Sequence, residues 1–504
     1  MRRLALTGRD LTLSDLADVA HRKVRIALSS VARRGITASR RVVDRAIARG
    51  DRAYGLTTGF GRFAEVSVPR EKLETLQRNL VRSHAAGVGP PLPDEAVRVM
   101  IVLRANALAR GLSGIRLETV EKLLAMLAAD VLPVVPEQGS VGASGDLAPL
   151  AHLALVLTGE GKARWRGRTL SASRALASAR LSPATLKAKE GLALVNGVQM
   201  SVAVGGLALQ RALFLARVAD VTGAASLDAA RGSDAAFDPR ILAARPHAGA
   251  VASATNLRRL LAGSAIRESH RGCGKVQDNY ALRCMPQVHG AARDAFAHAR
   301  SVLETEMNSA TDNPLVFSGG DIVSGGNFHG APVGLVLDYA AIAAADLASI
   351  SERRIEKLLN PALSDLPAFL IEEGGLHSGL MLAQVTAAAL VSENKILAHP
   401  ASVDSIPTSA DKEDHVSMSP IAARKLASIV RNLEIVLAIE FLIAFQAMEF
   451  LRPLPTSPPL ERVRRAFRRL VPAWKRDRIL AVDIEKSHGF LDSPVLKSLA
   501  AELR

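Results

Sequence analysis

Residues 139–155 read GSVGASGDLAPLAHLAL, and the three small residues at their centre, Ala143, Ser144 and Gly145, can react with one another. If the Gly145 nitrogen attacks the Ala143 carbonyl, a five-membered ring closes. Loss of two waters, one from the ring and one carrying the Ser144 hydroxyl, then leaves an exocyclic methylidene. The product, 4-methylideneimidazol-5-one (MIO), is an electrophile built from main chain alone. The residue types suit this chemistry: glycine tolerates a tight turn, alanine adds little bulk, and serine supplies the hydroxyl that leaves. The triplet alone also fits a small-residue turn ahead of an apolar helix, so its context has to separate the two readings.

The turn lies between helical patterns. EAVRVMIVLRANALARGL and LETVEKLLAMLAADVL, within about 95–130, repeat apolar residues at helical spacing until Pro133 and Pro136 close them. Leu147 to Leu157 reads as a helix that starts just after the turn. Its N-terminus would aim backbone N–H groups and partial positive charge at the ring carbonyl. YGLTTGFG (54–61) is broken by Gly55, Gly59 and Gly61 and reads as loop. Beyond residue 200, alanine- and leucine-rich helical patterns run over 198–229, 287–308, 331–359, 380–398 and 420–451. Pro453, Pro455, Pro458 and Pro459 follow and lead into a C-terminal helical segment. The expectation is a mainly α protein. A smaller N-terminal domain (1–200) carries the MIO loop, and an elongated helical-bundle domain (201–504) follows it.

Composition agrees with helices. The chain of 504 residues is long enough to bury a sizeable core, and its residues are 48% apolar but only 4% aromatic, which suits close helix packing. Cys273 and Cys284 make neither a disulfide framework nor a zinc spacing. Each reads as a small buried hydrophobe in a reducing cytoplasm. The N-terminal MRRLALTGRDLTLSDL is interrupted by Arg9 and Asp10 and does not read as a signal peptide. The most apolar segment, 426–451, contains Arg431, Glu434, Glu440 and Glu449, so it reads as a buried helix and not a membrane span. The net charge of +15 is densest in ERVRRAFRRL (461–470), where Arg462, Arg465 and Arg469 accompany an apolar stripe of Val463, Phe467 and Leu470. That pattern reads as a solvated helix face, with no nucleic-acid motif beside it. His152, His270, His289, His329 and His415 have no metal-ligand spacing, and no metal is expected.

The whole run GSVGASGDLAPLAH resembles the signature of the aromatic amino-acid ammonia-lyases, a family of histidine, phenylalanine and tyrosine ammonia-lyases and related aminomutases. The likeness recurs at YGLTTGFG, NLVRSHAAGVG (79–89), KEGLALVNG (189–197), VQDNYALRC (276–284), ATDNPLVF (310–317), SGGNFHG (324–330) and AQVTAAALVSENK (383–395). It continues through HPASVDSIPTSADKEDHVSM (399–418). The resemblance implies a carbon–nitrogen lyase that needs no external cofactor. It acts on a small amino-acid substrate with an MIO made from Ala143-Ser144-Gly145, and forms a homotetramer whose active sites combine residues of several subunits. It also implies roles. Tyr54 matches the tyrosine that removes the β-proton, and Arg283 matches the arginine that pairs with the substrate carboxylate. Asn196, Gln277 and Tyr280 match residues around the MIO and the leaving amine. Phe328 matches an aromatic wall, and Asn313 a further polar neighbour.

Two positions bear on the substrate. His84, after Ser83, and Glu413 are similar to their counterparts in the histidine-selective members, and so is Met381. A carboxylate can accept an imidazole N–H, whereas against a phenyl ring it would stay unpaired at a desolvation cost. The implied reaction is loss of ammonia from L-histidine to give trans-urocanate. Thr57, Asn279, Ala331, His377 and Lys412 depart from the usual histidine-lyase residues. They motivate an alternative, a lyase or aminomutase acting on another aromatic or histidine-like amino acid. A reading of a different class is a scaffold that has lost its activity, or a basic binding protein.

Overall fold

The computed structural model describes residues 2–274 and 276–504 and is mainly α-helical. The alanine- and leucine-rich patterns became long helices at Gln199–Ala229, Met285–Met307, Ala331–Leu359, Met381–Leu397 and Ser419–Glu449. Shorter helices at Leu73–His84, Asp94–Ala109, Leu117–Ala128 and Leu147–Leu157 precede them. The strands are few and short. Arg2–Leu6 pairs in parallel with Val24–Leu28. Three antiparallel patches, around Val88–Pro91, Lys162–Trp165 and Leu315–Val316, complete the sheet content of the described residues.

The chain divides into two compact units. The first comprises residues 1–210, 299–338 and 400–424, and the second 211–298, 339–399 and 425–504. In the first unit, Asp94–Ala109 is buried almost all round, from Ala96 to Ala109, with Arg98, Arg104 and Asn106 buried among its apolar residues.

The core of the second unit is crossed by a polar network. Glu440 accepts from Arg354 Nη2 at 2.9 Å, Ser226 Oγ at 2.7 Å and Ser351 Oγ at 2.6 Å. Asp220 meets His289 Nδ1 at 2.8 Å, Ser253 Oγ at 2.7 Å and Asn256 Nδ2 at 2.8 Å. Each acid thus has several donors, which is the condition for burying a charge. This explains how Glu440 is fully buried within the Ser419–Glu449 helix. Gln199–Ala229 and Ala331–Leu359 are long and apolar enough to cross a membrane, but their most apolar windows are 67% and 61% buried within the protein. They are core helices.

Two expectations need correction. Cys273 is exposed and Cys284 half-buried, so neither is a buried hydrophobe. In the basic cluster, Val463 and Phe467 are buried but Leu470 is 48% exposed, because the Pro458–Arg468 helix has ended before it. Arg462, Arg465 and Arg469 are exposed, as a solvated face requires. Arg464 and Arg468 bond Glu449, and Arg464 and Arg465 bond Glu461.

Candidate active site

Ser144 sits in a turn forced by its neighbours. Gly142 and Gly145 have φ of +74° and +76°, and a Cβ at Gly145 would collide with the Gly197 carbonyl. That close approach is a backbone pairing: Gly145 bridges Gly197, and Asp146 N donates to Gly197 O at 2.6 Å. Ser140 Oγ closes the turn, accepting from Gly142 N at 3.2 Å and donating to Gly145 O at 3.3 Å. Ala143 is buried against Val416 and Met418. The Leu147–Leu157 helix starts directly after the turn, as its pattern implies. Its N-cap residue, Asp146, turns its carboxylate away from the helix and accepts from Ser201 N and Oγ at 2.7 and 2.8 Å. Burial pushes the Asp146 carboxyl up to about 6.

A cavity of about 600 Å³ opens beside Ser144, lined also by Tyr54, His84, Asn196, Asn313, Phe328 and Glu413. These seven residues come from distant stretches of the first unit. His84 ends the Leu73–His84 helix, Asn196 ends Glu190–Val195, and the others lie in loops. Ser144 Oγ donates to Glu413 Oε1 at 2.9 Å, and Thr408 Oγ1 donates to Oε2 at 2.8 Å. The turn that presents Glu413 is strained, since Ser409, Ala410 and Asp411 are successively left-handed at φ of 55°, 51° and 62°. Three such non-glycine residues cost roughly 1–2 kcal/mol each, so neighbouring contacts must hold them. The Thr408–Glu413 backbone bridge is one such contact.

The cavity environment shifts two titrating groups. Burial, and after it the charge of Glu413, hold the Tyr54 phenol above its usual value, although its oxygen accepts from Gly61 N at 3.3 Å. Burial holds the His84 imidazole below its usual value, and Ser83 Oγ lies 3.0 Å from His84 Nδ1.

The structure does not bring all the expected residues together. Gln277, Tyr280 and Arg283 belong to the second unit and do not line this cavity. Tyr280 is 70% exposed, with the Arg283 guanidinium 4.6 Å from its ring centroid. Gln277 and Arg283 line a separate cavity of about 330 Å³ with Arg231, Arg267 and Arg271. Among the departures from the histidine-lyase pattern, Lys412 alone lines the Ser144 cavity. Thr57 spends its hydroxyl on Asp51 O and Ala53 N within its own turn. Sequence reasoning missed Thr408, Phe60, Leu80 and Leu192, the last three lining the cavity as apolar wall. It also missed Lys189 and Asp312, an ion pair at 2.9 Å behind Asn196. Their signal was available, since both lie inside the blocks KEGLALVNG and ATDNPLVF. Among the described residues, no cluster of three or more His, Cys, Asp or Glu side chains could hold a metal ion.

The chain is similar to known proteins along nearly its whole length. A protein of Anaeromyxobacter dehalogenans (strain 2CP-C) named histidine ammonia-lyase is 55% identical, covering 99% of this chain and 100% of its own. The crystal structure of histidine ammonia-lyase from Trypanosoma cruzi is 46% identical and superposes with a TM-score of 0.92, over 99% of this chain and 95% of that one. Tyrosine aminomutase from Streptomyces globisporus is 37% identical and superposes at 0.94, over 99% of both chains. The fold is therefore common to a histidine ammonia-lyase and a tyrosine aminomutase, and the family profile described as aromatic amino acid lyase matches residues 11–469. With the Ser144 turn and its cavity inside that match, this chain belongs to the aromatic amino acid lyase family.

Proposed function

We propose that this carbon–nitrogen lyase eliminates ammonia from L-histidine to give trans-urocanate, the opening step of histidine breakdown. The observation that carries the reading is one cavity holding Ser144, Glu413 and His84, with Glu413 bonded to the Ser144 hydroxyl. Glu413 accepts one imidazole N–H of the substrate, and His84 meets the other side of that ring.

The residues present fit an MIO formed from Ala143-Ser144-Gly145. Gly145 occupies a position with no room for a Cβ, and Asn196 Oδ1 is buried in the cavity wall with no partner among the described residues. Once formed, the group supplies an electrophile that makes the amine a better leaving group. The side chains do the rest. Tyr54 takes the β-proton on its phenolic oxygen, the C–H electrons become the Cα–Cβ double bond, and the C–N electrons leave with the nitrogen. Phe328 walls the substrate, and Asn313 adds a polar contact.

Arg283 holds the substrate carboxylate in bidentate fashion, and Gln277 and Tyr280 flank the amine. The reading includes a homotetramer whose active sites combine residues of several subunits, as the family resemblance implies, with another copy supplying these three. The enzyme is read as cytoplasmic, acting on a small molecule without nucleic acid or membrane.

A second reading, a lyase or aminomutase on a related amino acid, rests on Lys412 beside Glu413 in the cavity. Offering L-histidine, L-tyrosine and L-phenylalanine separately decides between them. Ammonia and urocanate from histidine alone support the first reading. A β-amino acid, or turnover of tyrosine or phenylalanine instead, establishes the second.

A further inference from the structure

The amide of Asn196 has a defined orientation. The residue is 2% exposed, and its Nδ2 donates to Asp312 Oδ1 at 3.2 Å and to the Asn313 carbonyl at 3.3 Å. A carboxylate and a carbonyl can only accept, so turning the amide round would lose both bonds. Oδ1 is what remains: it is buried and without a partner among the described residues, on a residue that lines the Ser144 cavity. A buried acceptor in that state is costly to keep unless something donates to it.

Asp312 is held in turn. Lys189 Nζ donates to its Oδ2 at 2.9 Å, with both side chains fully buried, and Asn313 N donates to Oδ1 at 2.7 Å. Lys189 has a left-handed φ of 74° directly before the Glu190–Val195 helix, whose C-cap is Asn196. The backbone on the other side of Asn196 is also fixed, since Arg104 Nη1 donates to its carbonyl at 2.6 Å. A buried ion pair such as Lys189–Asp312 is weak evidence for stability, because its desolvation offsets much of its attraction. The buried charges are better explained by what they orient. Ammonium, carboxylate and amide form one line of bonds that ends at this buried oxygen.

We propose that Asp312, held by Lys189, is a positioning residue that fixes Asn196 with Oδ1 toward the Ser144 cavity, where this oxygen accepts an N–H from the substrate's amine. This rests on the ammonia-lyase reading. It makes a directional prediction. In Asp312→Asn, Lys189 can still only donate, so it draws the new amide oxygen to itself and leaves an NH2 facing Asn196. The new NH2 also opposes Asn313 N–H, and Asn196 gives up its 3.3 Å bond to the Asn313 carbonyl to accept from that NH2, so that its own NH2 turns toward the cavity and opposes the amine. Adding Lys189→Met releases the new amide to turn its oxygen back, and Asn196 returns to its original orientation.

The test is equilibrium binding to full-length protein carrying Ser144→Ala, which cannot form the MIO and so does not consume ligand. L-histidine is compared with 3-(imidazol-4-yl)propanoate, which lacks the amine. The parent is expected to prefer L-histidine by about tenfold, the worth of one charge-assisted hydrogen bond. Asp312→Asn removes that preference while propanoate binding stays within about twofold. The Lys189→Met/Asp312→Asn pair restores it, and Asn196→Leu removes it. Equal weakening of both ligands in Asp312→Asn, an undiminished preference, or a double variant as poor as the single one overturns the proposal. If Asp312→Asn does not fold, Asn196→Leu and the double variant decide: preference lost in the first and kept in the second supports the proposal, and any other pattern overturns it. A parent that binds tyrosine and not histidine shows that the substrate reading has failed. Tyrosine against 3-(4-hydroxyphenyl)propanoate then puts the same question.

Discussion

Ser144 Oγ donates a 2.9 Å hydrogen bond to Glu413 Oε1, joining residues 269 positions apart in the chain. The hydroxyl that must be lost in forming an electrophile is thus held by the carboxylate read as the imidazole partner. Glu413 has two tasks in this arrangement, one toward Ser144 and one toward the substrate ring.

Replacing Ser144 with alanine removes the leaving hydroxyl and one hydrogen bond. Activity and the near-ultraviolet absorbance of the MIO are expected to vanish, with a stability loss of about 1 kcal/mol. Thermal melting separates this from unfolding. An active Ser144→Ala enzyme would remove the MIO from the mechanism.

Glu413→Gln keeps the size of the side chain and removes its charge. Turnover of histidine should fall by about tenfold or more, since a hydrogen bond to a charged group is lost, while any weak turnover of tyrosine changes less. Steady-state kinetics on both substrates read this out, and an equal loss on the two would remove Glu413 as the imidazole partner.

Tyr54→Phe leaves the ring that packs edge-on against Phe60, at 6.3 Å between centroids, and removes only the oxygen. As the loss of a positioned base, it should lower kcat by about 100-fold or more with KM and melting temperature nearly unchanged. Burial and Glu413 raise the Tyr54 phenol within its own chain, so a nearby cation such as Arg283 of another copy is needed to bring it into the working range. If the proposed tetramer forms, weakening it by dilution should therefore reduce kcat before the chain unfolds.

Burial holds the His84 imidazole below its usual value of 6.5, so it is neutral at neutral pH. Charging it places a cation against the substrate ring. An acid limb in kcat/KM attributable to His84 therefore lies below pH 6.5 and disappears in His84→Asn. A limb above 6.5, or one that persists in the variant, assigns it to another group.

Glu306 is pushed from 4.5 up to about 7, first by burial and then by the charge of Asp146. A carboxyl raised in the folded state binds its proton more tightly there than in the unfolded chain, so its contribution to stability declines as pH rises from about 4.5 to about 7. Glu306→Gln has no proton to lose. Relative to the parent, it should gain on the order of 2 kcal/mol between pH 5 and pH 8, measured by denaturant unfolding. A difference that does not change with pH would place Glu306 in contact with solvent.

Much of the fold was legible in the residues because it rests on local periodicity. The expected 331–359 helix is Ala331–Leu359, and 198–229 and 380–398 became Gln199–Ala229 and Met381–Leu397. The strands were not foreseen. Pairs such as Leu315–Val316 with Ile322–Val323 are too short to show an alternating pattern. The side-chain environment of Cys273 and Cys284 was misjudged because residue type gives only an average burial.

The sequence by itself determined the reactive tripeptide, because cyclisation needs only adjacent residues of the right size and one hydroxyl. It also determined the helices and the family, through blocks whose spacing is covalent. Tertiary structure alone decided that Tyr54, His84, Ser144, Asn196, Asn313, Phe328 and Glu413 share one cavity while Gln277, Tyr280 and Arg283 do not line it. It alone decided that Glu413 reaches Ser144 and that Lys189 reaches Asp312 across 123 positions. Such pairings depend on how distant loops are carried together by packed helices, and no local pattern encodes that distance.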